Sequence, residues 1–172
     1  MMGRRATGIS PPLRGSQAID AANNEACPET DQLGHPRVDG GSGSVICDIG
    51  AIEFIPRITV AIDIKPGSFP NSINPRSRGV IPVAILTTDT FDATTVNSAT
   101  VRFGATGTEA APVQSSLEDV DGDGDIDMIL HFKTQDTGIR CGDSFASLTG
   151  ETSSGQAIEG FDSIKTVGCK GR

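Results

Sequence analysis

An almost perfect alternation of apolar and polar residues over positions 57–65 is the feature that most constrains the fold. The segment reads Arg-Ile-Thr-Val-Ala-Ile-Asp-Ile-Lys, and its large apolar residues share one face of an extended chain: Ile58, Val60, Ile62 and Ile64. A period of two residues predicts a β-strand with one buried face. Turn residues also recur at short intervals, with 21 Gly and 10 Pro among 172 residues, which leaves little room for long helices.

Further segments carry strand patterns, at 80–86, 99–103, 126–132, 144–149 and 157–167. The first is apolar on both faces, but Pro82 lacks a backbone N–H and predicts an edge strand or a bulge. The alternation near 126–132 separates two sets of side chains: Ile126, Met128, Leu130 and Phe132 against Asp127, His131 and Lys133. Roughly six or seven short strands separated by turns predict an all-β fold, an antiparallel β-sandwich over 56–172.

An acidic run at 119–127 is the strongest indication of chemistry. It reads Asp-Val-Asp-Gly-Asp-Gly-Asp-Ile-Asp, with a carboxylate at every second position. Ca²⁺ takes about six to eight oxygen ligands, and a short loop can supply them by alternating carboxylates with small residues. We therefore predict a calcium loop in which the ion is bound by the side chains of Asp119, Asp121, Asp123 and Asp127 and by the backbone carbonyl of Asp125.

This loop departs from an EF-hand at its last position. Gly124 falls where a sharp turn is needed, but Leu130 stands where an EF-hand has its bidentate Glu. The pattern resembles the loops of thrombospondin type 3 repeats and integrin-type FG-GAP repeats, which bind Ca²⁺ without that Glu. The alternative is a solvated acidic turn without an ion. Mg²⁺ fits less well, because it resists dehydration and requires strict octahedral geometry.

The cysteines are Cys27, Cys47, Cys141 and Cys169. Four cysteines allow three pairings, and the simplest expectation joins the local pair in each half, Cys27 with Cys47 and Cys141 with Cys169. No C-x-x-C spacing occurs, so zinc or redox chemistry has little support. Oxidised pairs would indicate a periplasmic or extracellular compartment. Buried free thiols in a cytosolic protein are the alternative.

Composition argues against several classes of function. The formal net charge of −8 disfavours non-specific nucleic-acid binding, and the absence of Trp and Tyr disfavours a surface that stacks sugar rings. No stretch is long and apolar enough to span a membrane.

The sequence also contains no recognisable catalytic motif. His35 and His131 are expected to be structural or surface residues, since neither belongs to a nucleophile motif. Paired carboxylates for glycoside hydrolysis stay open, because distances in space cannot be read from the chain.

Part of the N-terminal region resembles the closing segment of bacterial choice-of-anchor Q proteins. The matching stretches are 18–21 (Ala-Ile-Asp-Ala), 27–37 (Cys-Pro-Glu-Thr-Asp-Gln-Leu-Gly-His-Pro-Arg) and 47–53 (Cys-Asp-Ile-Gly-Ala-Ile-Glu). Leu33 replaces a usual Arg and Gln17 a usual Pro. The resemblance implies that 17–55 is the terminal stub of a right-handed parallel β-helix. One coil cannot bury its own face without neighbours, so we expect this stub to be less well ordered than 57–168 except where Cys27–Cys47 holds it.

The remainder resembles an uncharacterised module at the C-terminus of exported bacterial proteins, through 62–67, 79–86 and 118–127. The resemblance implies location and architecture without a reaction. We expect three regions: a disordered 1–16, a β-helix coil or linker at 17–55, and a calcium-binding β-sandwich module at 56–172. The first residues carry several Arg but no apolar stretch typical of a signal peptide, so we expect either a fragment of a longer exported protein or a start codon assigned inside a longer gene.

These expectations predict a non-catalytic, calcium-stabilised accessory module of a secreted or cell-surface bacterial protein, used for spacing, adhesion or anchoring to an extracellular polymer. One alternative is the inactive C-terminal fragment of a β-helix enzyme that degrades polysaccharides. The other is a calcium-dependent carbohydrate-binding module, in which the ion would bridge sugar hydroxyls.

Overall fold

A computed structural model describes residues 12–13, 15–34, 36–37 and 43–169. The chain divides into two compact units, Met1–Pro56 and Arg57–Arg172. The expectation of disorder for 1–16 falls mostly outside the described residues. Within them, every strand lies in the second unit, and the helical segments are short 3-10 helices at Asn24–Ala26, Ala93–Thr95, Ser98–Thr100 and Thr134–Asp136.

The second unit is built from short strands, which confirms the all-β class. They are β1 (Ile58–Thr59), β2 (Ile62–Ile64), β3 (Ser72–Ile73), β4 (Val80–Ile85), β5 (Arg102–Gly104), β6 (Pro112–Glu118), β7 (Asp127–Lys133), β8 (Phe145–Glu151), β9 (Ala157–Ser163) and β10 (Lys165–Thr166). One four-stranded sheet has the order β1-β9-β8-β5 and the other β2-β4-β7-β6, with a two-stranded β10-β3 pair beside them. Most pairs are antiparallel, whereas β1-β9 and β10-β3 are parallel. The arrangement is a β-sandwich, as the alternation predicts.

The core of this unit buries apolar side chains from both four-stranded sheets. Phe103 on β5 and Phe132 on β7 are fully buried, and their ring centroids lie 5.0 Å apart with the planes tilted by 37°. Tilted aromatic pairs at this distance have favourable quadrupole geometry. Burying each ring contributes roughly 1.5–3 kcal/mol, so this contact is one of the points at which the two sheets are held together.

The segment 57–65, predicted as one strand, forms two strands in different sheets. β1 pairs with β9, whereas β2 pairs with β4. The chain passes from one sheet to the other at Val60 and Ala61, and this crossing lies against Gly160 on β9. A Cβ at Gly160 would lie 2.9 Å from the Val60 carbonyl oxygen and 2.7 Å from Ile62 Cγ2. Alternation alone could not show this switch, because both halves keep the same period.

Pro82 corrects a second expectation. β4 is an interior strand, paired with β2 on one side and β7 on the other, and the paired register shows no bulge at Pro82. Its carbonyl accepts the N–H of Lys65 at 2.8 Å, just beyond the end of β2, so its nitrogen faces the same residue. The Lys65 carbonyl instead accepts the N–H of Ser68 at 3.0 Å, so the missing N–H of Pro82 leaves no acceptor unpaired there.

Other strand limits differ from the pattern for local reasons. In 99–103 only the end is strand, because Ser98–Thr100 form a 3-10 helix capped by the Asn97 side chain. The segment 157–167 divides into β9 and β10. β6 escaped prediction because it is an edge strand whose apolar residues, Val113 and Leu117, are each 53% exposed.

The first unit has little regular structure. Its described part holds a 3-10 helix, an isolated bridge between Thr30 and Pro36, and the disulfide Cys27–Cys47. No strand lies in the described part of 17–55, so the β-helix assignment stays a prediction.

Buried carboxylates organise the loops of this unit. The Asp48 carboxylate accepts the backbone N–H groups of Asp20 at 2.7 Å and of Phe54 at 2.5 Å. Asp31 accepts those of Leu33 at 2.8 Å and Glu53 at 3.1 Å. Buried carboxylates that accept backbone N–H groups take the place of a regular hydrogen-bond ladder.

A buried ion pair completes this network. Arg37 Nη1 lies 2.5 Å from Glu53 Oε2, and the Glu53 side chain is fully buried. Asp31, Arg37, Asp48 and Glu53 all belong to the stretches that resemble choice-of-anchor Q proteins. Within this unit, these residues hold the chain together, which is a structural role.

Candidate metal centre

The acidic run forms the connection between β6 and β7, and its backbone is coiled by its own side chains. Asp119 accepts the backbone N–H of Gly122 on Oδ1 at 2.8 Å and that of Gly124 on Oδ2 at 3.2 Å. Asp residues commonly accept from the backbone two or three positions later. The first carboxylate therefore draws the following turns around itself.

The next carboxylates continue the same pattern. Asp121 Oδ1 accepts the N–H of Asp123 at 3.3 Å, and Asp123 Oδ1 accepts that of Asp125 at 2.9 Å. Gly124 has φ +97°, in the left-handed region that glycine adopts without strain. Its position matches the sharp turn expected there.

Three carboxylates of the loop converge. Asp119, Asp121 and Asp127 each place an oxygen within 4.8 Å of the others' oxygens. Asp119 and Asp121 are exposed, whereas Asp127 is only 1% exposed. The convergent group therefore lies at the protein surface with one carboxylate anchored inside.

The Asp127 carboxylate is held from two directions. Its Oδ1 accepts the backbone N–H of Thr87 at 2.8 Å, and its Oδ2 accepts that of Val120 at 2.9 Å. Asp127, which the sequence pattern groups with His131 and Lys133, is therefore buried. Ile126 instead precedes β7 and is 45% exposed, so it does not share the buried face of Met128, Leu130 and Phe132.

Thr87 was not predicted from the sequence. Its hydroxyl donates to the Ile126 carbonyl at 2.6 Å and accepts the N–H of Ala93 at 3.0 Å. The segment after β4 thus supports the end of the acidic loop. A threonine 40 residues from Asp127 carries no local pattern that would have revealed this contact.

Two of the predicted ligands lie outside the convergent group. The carboxylates of Asp123 and Asp125 are exposed and do not join the other three. Asp123 is engaged with the Asp125 backbone. Leu130, at the position of the EF-hand Glu, is fully buried in the core and supplies no oxygen.

The electrostatics of the loop favour a cation. Loss of hydration within the loop, together with the negative charges of Asp123 and Asp127, raises the pKa of the Asp121 carboxyl above its usual value, although a backbone hydrogen bond from Asp123 opposes the shift. Like charges held this close repel one another. A bound cation would offset that repulsion.

The donor set fits a hard cation. All groups that converge are carboxylate oxygens, and each ionised carboxylate has about four lone-pair sites. Backbone N–H groups occupy some of these lone-pair sites on Asp119 and Asp127, and the remaining lone-pair sites are available to coordinate an ion. Three carboxylates with water and a backbone carbonyl could reach the coordination number of Ca²⁺.

His131 is separate from this group. His131 lies on β7, half-buried, opposite Pro82 on β4 and Gln114 on β6, and within the described chain its Nδ1 has no hydrogen-bond partner. His35 lies outside the described residues. Over the ranges described, no helix is long and apolar enough to cross a membrane.

Comparison with known proteins identifies no relative. No family model matches the chain, and neither the curated proteins nor the solved structures contain a match.

Proposed function

We propose that this chain is a non-catalytic, calcium-stabilised accessory module of a secreted or cell-surface bacterial protein. The observation that carries the proposal is the convergence of Asp119, Asp121 and Asp127 within 4.8 Å. The module would serve in spacing, adhesion or anchoring, with an extracellular polymer as its partner.

Calcium is the proposed ion because the loop combines oxygen donors with an irregular, exposed backbone. Ca²⁺ accepts varied geometry and about six to eight ligands, whereas Mg²⁺ requires a near-ideal octahedron. Asp123 and the carbonyl of Asp125 complete the proposed ligand set. Both lie in the exposed part of the loop, where small backbone changes would bring them to the ion.

The proposed role of the ion is structural. The loop joins β6 to β7, and Asp127 ties it to Thr87. An ion that binds only the folded loop stabilises the fold by mass action, about 2.7 kcal/mol at a concentration 100-fold above the Kd. The two disulfides support an exported location, because such bonds persist in oxidising compartments.

Isothermal titration calorimetry of the full chain with CaCl₂ tests whether the acidic loop binds Ca²⁺. We expect one Ca²⁺ per chain, and loss of that binding in the double variant Asp119→Asn/Asp121→Asn. The matched control is Asp89→Asn/Asp136→Asn, which removes the same charge from two exposed positions. Binding that survives the loop variant, or disappears in the control, contradicts the proposed site.

Thiol labelling in intact host cells tests the location. The cells are treated with a membrane-impermeant maleimide before and after reduction by an impermeant phosphine. An exported module gains label only after external reduction, because its cysteines are paired. Labelling that requires cell lysis would contradict export.

A further inference from the structure

A second acidic feature of the sandwich unit lies in a surface cleft of about 470 Å³. The cleft is bounded by the loop between β2 and β3 and by the end of β9. Two carboxylates line it, Asp63 from β2 and Asp162 from β9, together with Phe69, Asn71, Ile62 and Leu86. None of these residues belongs to the candidate metal centre.

The two carboxylates are held close together without a neutralising base. Asp162 Oδ2 accepts the backbone N–H of Ile64 at 3.0 Å and the Asn71 Nδ2 at 2.9 Å, which fixes its position. Burial and the negative charge of Asp162 raise the pKa of Asp63. Among the described residues, neither carboxylate forms an ion pair. The cleft therefore has a negative charge that a cation would balance.

An aromatic ring is exposed at the same cleft. Phe69 is 93% exposed, although it lies on a loop that is internally braced. The N–H of Ser68 donates to the Lys65 carbonyl at 3.0 Å, and Lys65 Nζ donates to the Ser72 carbonyl at 2.8 Å. A large apolar side chain held almost entirely in water offers contact area to a ligand with little reorganisation.

A buried amide, that of Asn71, positions one of the two carboxylates. Asn71 is 5% exposed, and its Nδ2 donates to Asp162 and to the Ser163 carbonyl. Its Oδ1 accepts no hydrogen bond within the described chain. Because this oxygen is itself buried from solvent, the amide acts through its two donor bonds, which fix Asp162 at the wall of the cleft.

We propose that this cleft binds the side chain of a lysine or arginine presented by a partner protein. Asp63 and Asp162 receive the charged head, and Phe69 covers it with its ring face. A cation over an aromatic face is attracted by the ring quadrupole. The aliphatic stem of the side chain packs on Ile62 and Leu86, as the stems of Lys and Arg do on apolar surfaces. This site is independent of the proposed calcium loop.

The lining of the cleft favours an organic cation over Ca²⁺. Two carboxylates line the cleft, so it supplies few oxygens for an ion that needs about six. Phe69 contributes nothing to a metal. A neutral sugar could stack on Phe69 but would leave the two carboxylates without a counter-charge.

Titration followed by ¹H–¹⁵N correlation spectra tests the proposal on the full chain in saturating Ca²⁺. The probes are Nα-acetyl-arginine amide and Nα-acetyl-lysine methylamide, with Nα-acetyl-citrulline amide as the neutral isostere of arginine. We expect shifts confined to 62–71, 86 and 162–163, with a Kd on the order of 1 mM, and little response to citrulline. Equal binding of citrulline, or shifts elsewhere on the surface, overturns the proposal.

Single substitutions separate the contributions of the carboxylate and of the aromatic ring to binding. Asp63→Asn is expected to weaken binding about tenfold and Phe69→Ala several-fold. Phe145→Ala is the matched control, since Phe145 is 58% exposed on β8 and does not line the cleft. Unchanged affinity in Asp63→Asn overturns the proposal, and the dispersion of each spectrum shows whether the variant is folded.

Two further probes distinguish other occupants. Glucosamine carries an ammonium group without an aliphatic stem. If it binds more tightly than both amino-acid probes, the cleft is a site for an amino sugar, and the proposal of a protein side chain is overturned. CaCl₂ added beyond one equivalent would shift the resonances of Asp63 and Asp162 if the cleft were a metal site, which also overturns the proposal. Neither outcome depends on whether the acidic loop binds Ca²⁺.

Discussion

The carboxylate of Asp127 accepts a hydrogen bond from the backbone N–H of Thr87, 40 residues earlier in the chain, at 2.8 Å. This contact ties the first residue of β7 to the segment that follows β4. The same carboxylate belongs to the convergent group at the surface. One residue thus joins the candidate metal centre to the interior of the sandwich.

Removal of the Asp127 carboxylate is expected to destabilise the fold even without metal. Asp127→Ala leaves the partly buried backbone N–H groups of Thr87 and Val120 without their acceptor, and an unpaired buried group costs about 1–3 kcal/mol. Urea unfolding in EDTA should show a loss of roughly 2–4 kcal/mol. Asp125→Ala, in the exposed part of the same loop, serves as the control and should change stability by less than about 0.5 kcal/mol. Equal stability of the two variants would contradict the anchoring role of Asp127.

A side chain at Gly160 is expected to disturb the crossing between the sheets. In Gly160→Ala the new Cβ would lie 2.7 Å from Ile62 Cγ2 and 2.9 Å from the Val60 carbonyl oxygen. Overpacking of this kind costs typically about 1–3 kcal/mol. Gly79→Ala is the control, because its Cβ meets only the Ser77 hydroxyl at 3.3 Å. If thermal denaturation shows an equal loss of stability for both variants, the close approach at Gly160 does not restrict the side chain at that position.

Asp63 should give stability an identifiable pH dependence. Burial and the charge of Asp162 raise its pKa in the folded state, so the folded protein binds that proton more readily than the unfolded chain. Ionised Asp63 therefore lowers the free energy of unfolding at neutral pH. This loss of stability becomes smaller as the pH drops through the raised pKa toward the ordinary pKa of the carboxyl.

Asp63→Asn removes that cost. The variant is expected to be more stable than the native chain at pH 7 by a few tenths of a kcal/mol, as befits a partly exposed pair. The difference should shrink as the pH approaches 4. Calorimetry in EDTA between pH 4 and 7 measures it, with Asp136→Asn as a control for the loss of one exposed charge. A variant less stable than the native chain at pH 7 would refute the sign.

The disulfide Cys141–Cys169 is expected to stabilise the sandwich unit by roughly 3–4 kcal/mol, because it closes a loop with a sequence separation of 28. It joins the turn before β8 to the segment after β10. Cys141→Ser/Cys169→Ser should lower the urea midpoint accordingly. A midpoint equal to that of the oxidised native chain would show that the cross-link constrains little.

Period-two patterning predicted the sandwich class and much of its core. Met128, Leu130 and Phe132 are buried on β7, and β4 is buried on both faces over most of its length. The expected pairing of the cysteines is confirmed in both units. These features could be predicted because each depends on residues close together in the chain, as do the strand patterns and the pairing of neighbouring cysteines.

The features that escaped prediction join distant parts of the chain. Thr87 reaches Asp127 across 40 residues, and Ile64 reaches Asp162 across 98. Periodicity carries no information about such contacts, because they depend on how the strands are ordered in the sheets. The buried position of Asp127 depends on its contact with Thr87. The acidic cleft depends on the contact between Ile64 and Asp162.

Thermal denaturation of the full chain, monitored by circular dichroism, tests the calcium-stabilised loop most directly. It compares millimolar Ca²⁺, millimolar Mg²⁺ and EDTA for the native chain and for Asp119→Asn/Asp121→Asn. We predict a melting temperature that Ca²⁺ raises by several degrees and Mg²⁺ hardly changes, because only the folded loop binds the ion, and no response to Ca²⁺ in the double variant. A native chain that melts at the same temperature in Ca²⁺ and in EDTA would contradict the account, since the acidic loop would then be a solvated turn.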